Sequence, residues 1–168
     1  EFLQSVEAPV SPLAMCHVAL DMDVFPMDNS QTHKEGVSYT YKGYDGYAPL
    51  AAYLGQEGWC LGCELRPGSQ HANKGFLDTL KRVLPRARSL TDKPILLRLD
   101  SAHDARANRD FLREQDQIDF LIKWNPRKQD PLAWADKAQA QKAWTLERDG
   151  KMEAVLSEDL PDEPGLRR

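Results

Sequence analysis

No apolar run in this sequence approaches the roughly 20 residues that a membrane-spanning helix needs, so a membrane role for the chain is not expected. Cysteine is scarce and odd in number, three in 168 residues, which argues against a disulfide framework and for a reducing cytoplasm. An excess of one charge is missing too. The net charge is −4, so there is no global basic footprint for nucleic acid, and any such contact would need a local basic groove. The start, Glu1-Phe2-Leu3-Gln4, has neither an initiator Met nor a signal-peptide pattern. It reads as the middle of a helix and suggests a fragment of a longer protein. Internal repeats and low-complexity stretches are lacking as well. What remains is an ordinary globular composition, 41% hydrophobic and 29% charged, in a chain long enough for one sizeable core.

Within that composition two short apolar segments stand out, because each delivers an aspartate near its end. The first is His17-Val18-Ala19-Leu20-Asp21-Met22-Asp23-Val24-Phe25, and the second is Pro94-Ile95-Leu96-Leu97-Arg98-Leu99-Asp100-Ser101. Both read as buried strands. Hard divalent cations need carboxylate oxygens on rigid elements, with positions left open for water and phosphate. The stretch between the two leaves room for further strands and one helix, which is the spacing of a ribonuclease-H-like fold.

The rest of the chain fits an α/β class. Pro26 ends the first strand, Val37–Gly43 is β-rich, and Asp45-Gly46 signals a turn. Tyr47–Leu54 and Trp59–Leu65 read as strands around the Gly55–Gly58 turn. Phe76, Leu77, Leu80, Val83 and Leu84 follow helical spacing in a helix from Asn73 or Lys74 to about Arg88. A helix after Asp100, a strand at Ile118–Trp124, a helix from Pro131 to Ala143 and a hairpin about Asp149-Gly150 complete the order. Strand–helix–strand units around Asp100 and Ile118 imply parallel pairing, and the earlier hairpins imply antiparallel pairing. The expected product is a mixed sheet with flanking helices.

Longer motifs lie on this frame. Asp21-Met22-Asp23, Lys34–Tyr39, Tyr41-Lys42-Gly43-Tyr44-Asp45-Gly46-Tyr47-Ala48-Pro49-Leu50, Leu65–His71, Arg98–Asp104 and Phe120–Pro126 run in order from about residue 17 to residue 135. Together they resemble the DDE-domain transposases (group 1) of bacterial insertion sequences. The resemblance implies metal-dependent DNA strand cleavage and strand transfer, with two Mg²⁺ or Mn²⁺ ions held by three acids. It maps the first acid to Asp23 or Asp21, with Asp23 preferred as nearer the strand end, and the second to Asp100. Side chains two apart on a strand share a face, so both aspartates could point into one site. The family's third acid is a glutamate on a later helix beside Tyr and Arg. That motif is missing, and Glu147, Glu153, Glu158 and Glu163 do not match it.

The resemblance divides the chain into a helix remnant and linker (1–16), a partial catalytic domain (17–143), the start of an inserted β hairpin (144–156) and a disordered tail (157–168). The fragment is expected to be inactive alone. The alternative is a non-catalytic remnant that binds DNA or a full-length transposase. DNA ends and target DNA are the expected partners, with homo-oligomers an open possibility. Lys34, Lys42, Arg66, Lys123, Arg127 and Lys128 are the candidate backbone contacts, since lysine and arginine hold phosphates without reading sequence.

Two other features do not amount to a site of their own. Trp59-Cys60-Leu61-Gly62-Cys63 carries a redox-type Cys-x-x-Cys, but strand residues three apart face opposite sides, so the thiols are expected to diverge. A zinc site would need two more ligands from among Cys16, His17, His33, His71 and His103. His103 itself reads as a solvated group near a helix start, although its place after Asp100 lets it face the site.

Overall fold

Val18–Val24 alternates Val18, Leu20, Met22 and Val24, all buried, with Ala19, Asp21 and Asp23. That period of two makes a strand with one face in the core and the other carrying the acids. In the computed structural model, which describes residues 2–127, 130–160 and 162–167, this strand is β1 at the centre of a five-stranded sheet.

A short helix α1 (Phe2–Ser5) and a proline-containing link precede it. After Pro26 the chain forms a small sheet from β2 (Met27–Asp28), β3 (Ser38–Tyr39) and β4 (Asp45–Tyr47), in the order β2-β4-β3. The run read as one strand over Tyr47–Leu54 therefore divides at Pro49, and β5 (Leu50–Leu54) begins after it. The chain then continues through β6 (Trp59–Glu64), α2 (Phe76–Arg88), β7 (Ile95–Leu99), a 3₁₀ turn at Ser101–His103, α3 (Arg106–Arg113) and β8 (Ile118–Ile122).

The large sheet has the order β6-β5-β1-β7-β8. β5 pairs antiparallel with both β1 and β6, whereas β7 lies parallel to both β1 and β8. Hairpin connections allow the antiparallel half, and the helical crossovers α2 and α3 are what parallel neighbours require. Counting only these strands along the chain, the order is 3-2-1-4-5, the ribonuclease-H-like arrangement expected from the sequence.

The core lies on one side of the sheet. Leu20, Met22, Leu50, Leu54, Ile95 and Leu97 meet Phe76, Leu80, Val83, Leu84 and Ala87 of α2, and Leu112 of α3 joins them. Phe76 is fully buried, so Phe76→Ala should remove its transfer free energy and leave a cavity. The expected loss is about 3–5 kcal/mol of unfolding free energy, a large share of the ~5–15 kcal/mol typical of a domain. Urea unfolding followed by far-ultraviolet circular dichroism measures it.

Two motif glycines are explained by packing rather than chemistry. A Cβ on Gly46 would lie 1.9 Å from the Met27 carbonyl oxygen, and one on Gly68 would lie 2.1 Å from that of Ser38. Only glycine permits such backbone approach. The motif tyrosines serve the same region: Tyr44 donates to the Pro26 carbonyl and Tyr47 to that of Glu35.

Contacts divide the chain into two units, one through Lys123 and one from Trp124. The second unit contains α4 (Pro131–Ala140) and the hairpin β9 (Trp144–Arg148) with β10 (Lys151–Ala154). Asp130 caps α4 by accepting from the Leu132 N–H, with Pro131 in the first turn where no donor is needed. Trp124 and Trp134 meet edge to face at 5.0 Å, and the Lys137 ammonium sits 4.6 Å from the Trp134 ring centre. Within the tail, Asp159 bridges to Arg167. Among the described residues no helix is long and apolar enough to cross a membrane.

Candidate metal centre

Register decides which acids meet. Asp21 lies opposite Arg98 in the parallel β1–β7 pair. Parallel strands advance together, so two residues further on Asp23 comes beside Asp100, just past the end of β7. Asp21 is engaged elsewhere. Arg98 donates to it from Nε and Nη2, each at 2.6 Å, a bidentate pair that takes both carboxylate oxygens. Of the two aspartates left open by the sequence, the structure brings Asp23 to Asp100.

Local backbone fixes both carboxylates. Asp23 Oδ1 accepts from the Val24 N–H at 2.7 Å, and Asp100 Oδ1 caps the Ser101–His103 turn by accepting from the Ala102 N–H at 3.1 Å. His103 closes the cluster. Its side chain is fully buried, its Nε2 lies 3.7 Å from Asp100 Oδ1, and neither ring nitrogen has a hydrogen-bond partner among the described residues. One donor atom from each of Asp23, Asp100 and His103 falls within 4.8 Å of the others. An orphaned buried ring beside two carboxylates is a donor set that fits a divalent cation, since a buried nitrogen left unpaired costs about 1–3 kcal/mol.

His103 is held by the elements around it. The Phe76 ring stacks on it at 4.1 Å between centroids. Asn108 Nδ2 donates to the His103 carbonyl at 2.9 Å and to Asn73 Oδ1 at 2.7 Å, tying the turn to α3 and to the approach of α2. Sequence reasoning placed this histidine in solvent because the covering Phe76 is distant along the chain.

The electrostatics follow from the packing. Burial pushes the Asp23 carboxyl above its ordinary value, the Val24 N–H opposes this, and the neighbouring Asp100 charge adds to the rise. Bringing two carboxylates together favours a cation beside them. Tyr41, on the β3–β4 loop, has its phenol raised by burial and then by Asp23 and Asp100. Burial drives His103 down to about 4, against the pull of Asp100 and helped by Arg66 and His71.

The His103 shift predicts a pH effect on stability. The folded ring stays neutral while the unfolded one, at 6.5, takes a proton, so stability is full above pH 6.5 and is lost as pH falls towards 4. The deficit reaches about 3 kcal/mol at ~1.36 kcal/mol per unit. Asp23 works in the opposite sense, so the readout is the difference between wild type and His103→Gln. Urea midpoints in chelator-containing buffer should fall faster with acid for the wild type.

The basic candidates separate by burial. Arg66 corrects the sequence expectation: it is 2% exposed, with Nε on Glu64 at 3.1 Å and Nη1 on the Ala72 carbonyl at 3.1 Å. Thr79 and Arg82 also donate to Glu64. Burial raises the Glu64 carboxyl, but these donors and charges outweigh it and hold the group below its usual range. Arg66 thus locks β6 to α2 and cannot reach a phosphate. Lys34, Lys42 and Lys123 of the first unit and Arg127 of the second are exposed, and Lys128 lies outside the described residues.

The cysteines also depart from expectation. A bulge in the β5–β6 pair sets Cys60 opposite Tyr53 and Cys63 opposite Ala51. Tyr53 and Ala51 share a face, so both thiols are on the side away from α2 rather than diverging. Both are exposed and free. They lie on a strand rather than at the start of a helix, where a redox Cys-x-x-Cys pair sits.

Comparison with known proteins adds the context for this site. The sequence profile of the family described as "Transposase DDE domain group 1" matches residues 10–157. No curated protein matches the chain. Two solved structures are similar to it at a TM-score of 0.39. One is the piggyBac transposase synaptic complex with hairpin DNA, at 12% identity over 74% of this chain and 26% of that one. The other is the Mos1 strand transfer complex, at 17% identity over 83% of this chain and 44% of that one. The chain therefore spans less than half the length of either relative.

Proposed function

The chain belongs to the group 1 transposase DDE domain family, and on that premise we propose that Asp23 and Asp100 are the metal-holding acids of a DNA cleavage and strand-transfer site. The observation that carries this is their convergence at adjacent strand ends, with Asp21 diverted to Arg98. Mg²⁺ or Mn²⁺ is the cation the carboxylates suit, and when bound it supplies charge to activate a water or 3′-hydroxyl and to stabilise the leaving oxygen.

The remaining chemistry belongs to the chain. Tyr41 and Lys42 lie on the β3–β4 loop with the ammonium 5.4 Å from the ring centre, and both are exposed, so the ammonium can hold a DNA phosphate and the ring can stack on a base. Lys34 and Lys123 of the first unit, and separately Arg127 of the second, are exposed cations able to hold a phosphate. The Arg98–Asp21 pair sits two residues before the acids along β1 and β7 and links the two strands there.

The site holds only part of the family's acid set. Among the described residues no glutamate joins the Asp23–Asp100 cluster. That favours a second reading for the 168-residue chain taken by itself: a non-catalytic protein that binds DNA or a complete transposase.

The test is to incubate the full translated product of the gene with plasmid DNA and Mn²⁺. Nicked and joined products that vanish in Asp100→Asn are expected. Products that persist in that variant would remove Asp100 from the chemistry and sink the assignment.

A further inference from the structure

We propose that the His103 imidazole is a third protein ligand of the Asp23–Asp100 site, which therefore prefers Mn²⁺, or a similar borderline first-row ion, over Mg²⁺. This rests on the reading of Asp23 and Asp100 as metal ligands and extends it. The two aspartates are exposed acids, a feature common on protein surfaces. The second observation is the ring itself, fully buried, with neither nitrogen hydrogen-bonded among the described residues and Nε2 only 3.7 Å from Asp100 Oδ1.

Buried polar atoms in folded proteins are almost always paired, so an unpaired ring facing two carboxylates calls for a partner that completes it. Phe76 covers the ring at 4.1 Å between centroids, and Nε2 lies 3.7 Å from Asp100 Oδ1. Donors on one such ion lie about 2.1 Å from it, so any two are at most about 4.2 Å apart. The three donor atoms lie within 4.8 Å of one another, so gathering them on one ion calls for side-chain shifts on the order of 1 Å. Two carboxylates already balance a divalent charge. A neutral imidazole adds a donor without adding repulsion.

The nitrogen donor sets the preference. Carboxylate and water suit Mg²⁺, whereas imidazole favours first-row transition ions along the Irving–Williams order. Asn108 and Phe76 hold the turn and the ring in place before any ion arrives, which limits the ordering cost of binding.

Pulsed electron paramagnetic resonance of Mn²⁺ bound to the 168-residue chain reads the ligand directly. In a variant carrying His17→Gln, His33→Gln and His71→Gln, His103 is the sole histidine. Directly bound ¹⁴N modulation should appear there and convert to the ¹⁵N pattern on histidine labelling. Calorimetry should show Mn²⁺ bound at least about tenfold more tightly than Mg²⁺, narrowing in His103→Gln. Mn²⁺ binding that is lost in Asp100→Asn but shows no nitrogen coupling overturns the His103 inference and leaves the two-aspartate site standing. Binding indifferent to Asp100→Asn, or no uptake up to millimolar Mn²⁺, overturns both.

Discussion

Asp23→Asn and Asp100→Asn should each weaken Mn²⁺ binding by more than about 100-fold, because each removes a charged oxygen donor from a set that has only two. Asp21→Asn should change it by less than about tenfold. The distinction follows from register alone: Asp21 and Asp23 share a face of β1, but Arg98 takes both oxygens of Asp21. Freeing Arg98 leaves a positive group near the cation, so the small effect of Asp21→Asn should be a weakening. Its cost in stability should be under about 1 kcal/mol, since the pair is roughly half exposed and solvent screens it. Calorimetric titration of the four proteins checks the whole series. An Asp21→Asn loss as large as that of Asp23→Asn would mean that the first ligand has been misassigned.

The parts of this site that were legible in the sequence are those fixed by local periodicity. Alternation marks β1 and β7, each strand delivers its aspartate by position, and Phe76, Leu80, Val83 and Leu84 announce the face of α2. The Asp149-Gly150 turn likewise announces its hairpin, with Gly150 in the left-handed region at φ 76°. The preference for Asp23 over Asp21 rested only on nearness to the strand end, whereas the choice depends on which residue of β7 each one meets. Register between strands so distant along the chain is a tertiary property. Arg66 misled for a related reason. Before a Pro-Gly turn it reads as exposed, and only the approach of α2 buries it beside Glu64 and Thr79. The Cys60–Cys63 spacing failed because a bulge adds a residue to one strand, and the alternation rule counts none. His103 was hidden by Phe76, whose own helical pattern says that it is buried but not what it covers.

The chain as a 168-residue protein should not cleave or join DNA in Mg²⁺ or Mn²⁺, beyond the background of its own Asp100→Asn variant. In-line displacement at phosphorus needs the attacking and leaving oxygens clamped together, and effective catalysis depends on holding the ligands to within about 0.5 Å. Here Asp23, Asp100 and His103 form one cluster, and no further acid joins it among the described residues. One row across the site face reads Cys60, Tyr53, Asp21, Arg98 and Leu121 from edge to edge of the sheet. Tyr53 and Leu121 in that row are 42% and 63% exposed, so apolar surface lies open beside the acids. Such surface, together with the unpaired edges of β6 and β8, favours association between copies. Sizing chromatography should therefore show concentration-dependent growth, with Leu121→Lys reducing it. A strand-transfer assay on radiolabelled DNA covers the catalytic half. Metal-dependent product from the wild-type chain that disappears in Asp23→Ala would show that two aspartates and a histidine suffice, and the claim of inactivity would be wrong.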